Sequence, residues 1–444
     1  MNNIFVIGLD KLNHRWLQRL PNASQYHFHQ LLTFEQLQQG PDVPITRLID
    51  EAEARLASFE GSIDAIVSYW DFPGTLLVPI LTRRFNCPGP TLEATLKCEH
   101  KYWSRYEQAK VTDACPAFEA VNPYDDDAFE KLSLEFPYWV KPVKSFLGHL
   151  SYRIKNEADF RQAMPVIRQK IPRIGEPFNH ILGLADLPEA IVAVDGYHCL
   201  AEADIWGTQG TLEGYVHDGK LHSHGVVDSI CYPGTTVFSR LEYPSRLPAE
   251  VQQRVADIVE TVIHHLGYED RPFNVEFFWD QVNDKLWLLE INPRVSQSHA
   301  LLFEQVDGVS NFHVPVELAL GNTPTIPHRA GPAGCAAKFS VRAFRDGIVR
   351  SVPTAGQCHH VEALLPGTVV EVTVRPGDRL SALLSQDSYS YLLAEIIIGA
   401  PDQAQLLERY EQCLRLLPFV IEDIAEPVPT LEMGQHENRG ANAA

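Results

Sequence analysis

The run Phe273-Asn274-Val275-Glu276-Phe277-Phe278-Trp279-Asp280 is followed, after Gln281-Val282-Asn283-Asp284, by Lys285-Leu286-Trp287-Leu288-Leu289-Glu290-Ile291-Asn292-Pro293-Arg294. Two aromatic and aliphatic runs around a short polar stretch read as a β-hairpin. If the turn centres on Asn283, Glu276 stands directly across from Glu290, with Cβ atoms about 5 Å apart. Side chains alternate faces, so Asn274, Glu276, Glu290 and Asn292 cluster at the open end of one face, and Phe278, Leu286 and Leu288 fill its turn end. Val275, Phe277, Trp279, Trp287, Leu289 and Ile291 make the other face apolar throughout. Opposed like charges repel, and burial adds several kcal/mol per ion. Either one carboxyl keeps a proton or a cation lies between them. Two carboxylates and an amide oxygen suit Mg²⁺, with Mn²⁺ as the alternative ion. Arg294 follows at once, a fixed cation for a carboxylate or phosphate. A register shifted by one residue would instead turn one glutamate to solvent.

The elements that must hold this hairpin can be read along the chain. Residues 3–8 and 63–69 read as buried strands with helical periodicity between them and again at 76–85, an alternation that implies a parallel sheet covered by helices. The glycines after the first strand do not form GxGxxG, which removes a dinucleotide site and with it an oxidoreductase reading. Cys87-Pro88-Gly89-Pro90 closes this unit near residue 95. The middle of the chain, 96–328, mixes helices with short strands, and 190–243 is dense in strand signals: AIVAVDGY, GTLEGYVHDGKLHSHGVVDS and TTVFSRLEY. Asp218-Gly219 supplies a hairpin turn. A helix over 248–266 is stopped by Gly267. After the proline-rich stretch 323–332 comes a smaller α/β unit ending near 425, and 426–444 has little to bury and reads as a disordered tail.

Composition limits the partners. A chain of 444 residues with 45% apolar residues can bury several cores, and a formal charge of −20 argues against nucleic acid or an anionic membrane surface, both of which need a basic footprint. No stretch approaches the ~20 apolar residues of a membrane span, and the N-terminus lacks the pattern of a signal peptide. Eight scattered cysteines without CxxC fit reduced, packed thiols in the cytoplasm. His222 and His224 alternate on one strand and His359-His360 are adjacent, but without a third ligand all four read as structural or solvated rather than as a zinc site.

Further spacings turn this pattern into a family resemblance. Lys101-Tyr-Trp-Ser-Arg105 precedes Ala114-Cys115-Pro116 with a Lys-to-Pro spacing of fifteen, a second lysine stands on a strand in Tyr138-Trp139-Val140-Lys141-Pro142, and Glu290-Ile-Asn-Pro-Arg294 follows the Glu276 strand. Over roughly 96–325 the chain resembles the ATP-grasp superfamily, which includes biotin carboxylase, D-alanine–D-alanine ligase and bacterial L-amino-acid ligases. The resemblance implies an α/β (α+β) ATP-grasp fold with a Rossmann-like pre-ATP-grasp domain at 1–95, an ATP-grasp domain at 96–328 with a lid at about 136–205, and a small α/β unit at 329–425. It implies that Lys101 and Lys141 reach the nucleotide phosphates. Lys144-Ser145-Phe146-Leu147-Gly148-His149 stands where relatives carry a glycine-rich phosphate loop; it has one glycine, though Lys144, Ser145 and Gly148 could serve the same end. Glu202, followed by Asp204, matches the adenine strand and hinge, and Glu213 would sit near the ribose or metal. The metal ligands implied are Glu276, Glu290 and Asn292, with Arg294 steadying the substrate. Arg342, on the strand Lys338–Arg342, is either a second arginine for acyl oxygens or part of an ordinary surface strand.

The activity implied is an ATP- and Mg²⁺-dependent carboxylate–amine ligase, with amino acids as first-choice substrates. Bicarbonate activation of the biotin-carboxylase kind is the runner-up, and a nucleotide-binding module without turnover is the reading from another class. A small-molecule carboxylate and amine are the expected partners, and a homodimer is the default state for a soluble enzyme.

Overall fold

The computed structural model describes residues 1–37, 42–145, 148–383 and 390–424. The expected tail at 426–444 lies outside the described residues. The chain forms two compact units: residues 1–226, 247–297 and 311–326 in the first, and 227–246, 298–310 and the rest from 327 in the second.

In the first unit, Asn2–Leu9 is the middle strand of a parallel sheet, between Tyr26–Thr33 and Ala65–Ser68. Tyr26–Thr33 departs from the helical reading of this stretch: it is an edge strand whose polar His27, His29 and Gln30 mask the strand pattern. Helix Ile45–Ala57 buries Ile45, Leu48, Ile49, Ala52 and Leu56, a stripe at helical spacing that packs into this core. The first strand bends at Gly8, which has φ +80° and whose carbonyl accepts from Trp70 Nε1 at 2.7 Å. A Cβ there would lie 2.4 Å from Trp70 Cδ1. Gly8→Ala is therefore expected to cost roughly 2–4 kcal/mol, from the left-handed backbone plus the clash. An unchanged urea midpoint in that variant would contradict this account of the bend.

Helices Leu92–Glu99 and Lys101–Gln108 meet at His100, which caps the second. Its Nδ1 accepts from the Trp103 N–H at 3.2 Å and its Nε2 lies 2.8 Å from the Val194 carbonyl. Burial pulls its pKa down to about 4, so the ring is neutral, with its proton on Nε2. The Lys101 N–H donates to the Val143 carbonyl at 2.8 Å, which ties the start of this helix to the end of the Tyr138–Pro142 strand.

That strand belongs to an antiparallel sheet ordered Phe118–Val121, Cys199–Ala203, Tyr138–Pro142, Tyr152–Ile154. Tyr138, Val140, Cys199 and Ala201 face a core closed by Phe160, Met164 and Ile167 of helix Glu157–Lys170. Alternation leaves Trp139, Lys141 and Glu202 on the other face. The AIVAVDGY run forms a short helix, Glu189–Val192, started by Pro188, and then a turn held by the Asp195 side chain, in place of the expected strand. A continuous apolar run does not by itself separate a strand from a buried helical turn.

The remaining sheet of this unit runs Lys285–Asn292, Pro272–Asp280, Thr208–His217 and the first part of Lys220–Cys231. Helix Ala249–Leu266 covers it with Val251, Val255, Val259, Val262, Ile263 and Leu266, and Gly267 ends the helix at φ +69°. The hairpin pairs Asn274 with Asn292 and Glu276 with Glu290, as expected. Beyond that point the register slips by one residue, so Phe277 faces Leu288 and Trp279 faces Leu286. Leu286 and Leu288 thus join Val275, Phe277 and Ile291 in the core, whereas the sequence pattern set them beside the glutamates. Trp287 pairs with Phe278 and Leu289 is the bulged residue, so neither belongs to the expected apolar face. Arg105 Nη2 donates to the Leu289 carbonyl at 2.7 Å.

The second unit takes the remainder of Lys220–Cys231, then Phe238–Tyr243, Cys335–Ala343, Tyr391–Ala400 and Thr368–Val372. Helices Ala355–Leu364 and Gln403–Leu416 pack Val361, Leu406 and Cys413 against Phe339, Ile396 and Ile398. All eight cysteines are unpaired. Among the described residues no helix is long and apolar enough to cross a membrane.

Candidate active site

The acidic end of the hairpin is met by cations from three elements. Lys101, at the start of its helix, pairs with Glu290 and donates to the Ser145 carbonyl at 3.1 Å. On the polar face of the antiparallel sheet, Lys141 pairs with Glu202, whose second oxygen accepts from Arg105 Nε at 2.9 Å. Past the end of the Lys141 strand, Lys144 pairs with Glu99 and with Asp71 Oδ1, the latter at 2.8 Å. Asp71 Oδ2 accepts in turn from Arg294 Nη2 at 2.6 Å. Asp71 stands in the loop after strand Ala65–Ser68, at the carboxyl end of the parallel sheet, where open α/β sheets gather ligand groups.

These charges split the two hairpin carboxyls. Loss of water raises Glu276, repulsion from Glu290 raises it further, and Arg294, Lys101 and Lys141 only partly oppose this; it is pushed up to about 7. Glu290 suffers the same loss of water, but Lys101, Lys141 and Lys144 outweigh it and hold its carboxyl below the usual range. Repulsion across the pair thus leaves Glu290 ionised and Glu276 partly protonated near neutral pH. Asn292 Nδ2 donates to Asn274 Oδ1 at 3.0 Å and Asn274 Nδ2 to the Arg294 carbonyl at 2.9 Å, which turns the Asn292 amide oxygen the way Arg294 Nη2 lies, 3.4 Å off. Gln209 Nε2 donates to Glu276 Oε2 at 3.3 Å. Glu276, Glu290 and Asn292 offer hard oxygen donors at the hairpin end, a set that fits Mg²⁺.

The nucleotide-side residues fall into three groups. Burial raises the Glu202 carboxyl, but Lys141 and Arg105 overcome it and bring it to about 2. Asp204, just past the strand, accepts from Trp139 Nε1 at 2.7 Å and from Arg153 at 2.6 Å, so its side chain fixes the backbone that follows Glu202. Glu213 pairs in register with Asn274 and is pinned by the Ser296 N–H at 3.1 Å and by Asn311. Ser145 and Gly148 flank Phe146 and Leu147, which lie outside the described residues; Gly148 has φ +69°. Arg342 belongs to the second unit, where its Nη1 donates to Ser390 Oγ at 2.8 Å.

Asp71, Glu99 and Arg105 were given no role by sequence reasoning. Only Asp71 carried a usable signal, its place after a parallel strand and just before Pro73-Gly74. His222 stacks on Tyr215 at 4.7 Å, burial pulls the His224 pKa down to about 4, and His359 and His360 are exposed.

The antiparallel sheet presents Lys141, the second sheet presents the paired carboxylates, and the fold is that of ATP-grasp structures. Residues 134–300 match the family model of the ATP-grasp domain, and the chain carries that domain. Among solved structures, the chain is similar to an L-amino acid ligase from Bacillus licheniformis (TM-score 0.72, 15% identity, 95% of this chain and 99% of that one). It is also similar to a biotin carboxylase from Campylobacter jejuni crystallised with β,γ-ATP (TM-score 0.60, 15% identity, 95% and 92%). A third likeness is to phosphoribosylglycinamide synthetase from Anaerococcus prevotii (TM-score 0.61, 13% identity, 95% and 100%). In sequence it is 24% identical over 332 residues to an uncharacterized protein of Sinorhizobium fredii, matching 73% of this chain and spanning 61% of that relative's length.

Proposed function

We propose that the protein is an ATP- and Mg²⁺-dependent ligase that activates a carboxylate as an acyl phosphate and joins it to an amine, with amino acids as substrates. The observation that carries this reading is that Glu290, opposite Glu276, is paired with Lys101, with Lys141, Lys144 and Arg294 near enough to be felt by its charge. Four cations around a paired-carboxylate metal site suit a polyphosphate and an attacking carboxylate together. Lys101 and Lys141 hold the nucleotide phosphates and neutralise charge that grows during transfer, with Ser145 and Gly148 lining the loop beside them. Glu202, Asp204 and Glu213 take the base and ribose side. Arg294 steadies the substrate carboxylate, whose oxygen attacks the γ-phosphorus as ADP leaves; the amine then attacks the acyl carbon and phosphate departs. Mg²⁺, when bound by Glu276, Glu290 and Asn292, neutralises phosphate oxygens. The segment of about 136–205 acts as a lid that keeps water from the acyl phosphate. Arg342 is given no part in these steps.

Amino-acid substrates are favoured by the likeness to the L-amino acid ligase at TM-score 0.72, against 0.60 for the biotin carboxylase. Eight unpaired cysteines support a cytoplasmic setting. The test is hydroxamate formation from a panel of amino acids and small carboxylates with Mg-ATP and hydroxylamine. A hydroxamate with matching ADP supports the ligase and identifies its carboxylate. ADP release that depends on bicarbonate alone supports the biotin-carboxylase type, and ATP binding without turnover across the panel supports a binding module.

Lys141→Ala is expected to raise the ATP concentration for half-maximal rate about tenfold to a hundredfold, the loss of one charge-assisted phosphate contact. Glu202 keeps Arg105 in that variant, so the fold survives. An unchanged ATP requirement would place the phosphates elsewhere.

A further inference from the structure

Arg271 differs from Arg105, the other buried arginine of the first unit, and from the half-buried Arg294. Arg105 and Arg294 each pair with a carboxylate, whereas Arg271, 6% exposed, has no ion-pair partner among the described residues. Its Nη1 donates to the neighbouring Asp270 carbonyl at 2.7 Å, and its Nη2 has no hydrogen-bond partner among the described residues. The Asp270 carboxylate is turned away, meeting His217 Nδ1 at 2.9 Å and the Asp218 N–H at 3.2 Å. Burial draws the Arg271 pKa down to about 10, the mark of a cation short of compensation. A buried charge left unpaired is costly unless something of opposite sign joins it.

Arg271 lines a cavity of about 40 Å³ whose walls include Pro90, Pro293, Pro315, Val78 and Ala319. That space holds about three waters, the size of the carboxylate group itself, with a short stem left to lie along the apolar wall. Arg294 also reaches this wall, but it is engaged by Asp71. The guanidinium fork matches a carboxylate edge, and the proline and aliphatic walls match a short carbon stem. We propose that this cavity binds a small monocarboxylate on Arg271, at a site separate from the carboxylate that Arg294 steadies.

The test uses the full chain without nucleotide or magnesium, titrated with acetate, propionate, chloride and gluconate at constant ionic strength. Calorimetry and melting temperature are the readouts. Acetate and propionate are expected to bind saturably and raise the melting temperature, while gluconate, too large for the cavity, does neither. Arg271→Met should weaken acetate binding about tenfold or more, the loss expected for a charge-assisted pair. Ala319→Leu, which fills the cavity and keeps the arginine, should do the same, so either variant that stays folded decides the matter. Arg294→Met should keep acetate binding while losing ligase activity, which separates this site from the carboxylate that Arg294 steadies. The proposal is overturned if acetate does not bind, if chloride binds as well as acetate, or if binding survives in a folded variant at either position.

Discussion

Replacing Glu290 with glutamine is expected to cut turnover by at least about a hundredfold to a thousandfold, the scale of losing one pre-aligned electrostatic group, while the chain stays folded and still binds nucleotide. The argument starts from charge. In the native site Glu290 is ionised and paired with Lys101, while Glu276 is held up to about 7 by burial and by Glu290 itself. Once Glu290 is neutral, the repulsion disappears and only burial still holds Glu276 up, so more of it is ionised at neutral pH. It then supplies the counter-charge that Lys101 had, and Lys101 keeps its bond to the Ser145 carbonyl. The site therefore retains a negative charge but loses one of its two carboxylate donors.

The expected pattern is an unchanged urea midpoint, near-native binding of ATP without metal, and loss of hydroxamate formation that raised magnesium restores only weakly. Turnover close to wild type would remove Glu290 from the metal site. A collapse of the midpoint would instead mean that the Lys101–Glu290 pair holds the fold, and Glu276 could not then be replacing it.

The parts of this site that could be read in the chain are those set by local spacing. Glu276 and Glu290 were placed opposite each other because the pairing depends on the position of a short turn, and the structure keeps that register at the end that matters. Lys101 and Lys141 were found through their spacings to Pro116 and to the hairpin, and both stand at the expected element positions, at a helix start and on a strand. The bulge at Leu289 was not legible, because its freed carbonyl is satisfied by Arg105, 184 residues earlier in the chain. Nothing near Leu289 announces that partner, so the alternation rule carried Leu286 and Leu288 to the wrong face.

The same division holds for the fold. Strands buried on both sides, such as Ala65–Ser68, are apolar enough to be seen, whereas the edge strand Tyr26–Thr33 exposes polar residues. Asp71, Glu99 and Lys144 form a cluster assembled from three separate segments, and each looks like an ordinary charged residue in its own. A buried charge is recognisable only once its partner is known, and partners distant in sequence leave no local pattern.

Arg105 provides the sharpest test of that statement, because its three bonds reach three separate places. Nε donates to Glu202 at 2.9 Å, Nη1 to Gln108 Oε1 at 2.8 Å and Nη2 to the bulged Leu289 carbonyl at 2.7 Å, all with the side chain 2% exposed. Arg105→Met keeps the packing volume and removes all three, so it is expected to cost roughly 3–5 kcal/mol, the range for breaking a buried ion pair. Glu202 then has Lys141 alone, and its carboxyl rises from about 2. The sign of the pH dependence follows. A carboxyl held near 2 in the folded chain and near its ordinary value when unfolded adds stability that is complete above about 4.5 and is lost as pH falls toward 2, about 3 kcal/mol in all. Arg105→Met has less of this to lose. The stability gap between wild type and variant should therefore be widest near neutral pH and narrow steadily below about 4.5, as read by urea unfolding at a series of pH values. A gap that stays constant with pH would show that the Leu289 and Gln108 bonds, and not the Glu202 pair, account for what Arg105 contributes. Arg105→Lys separates the two further: it keeps a cation beside Glu202 but cannot reach in three directions, so its gap to wild type should stay nearly constant with pH while it recovers only part of the stability that Arg105→Met loses.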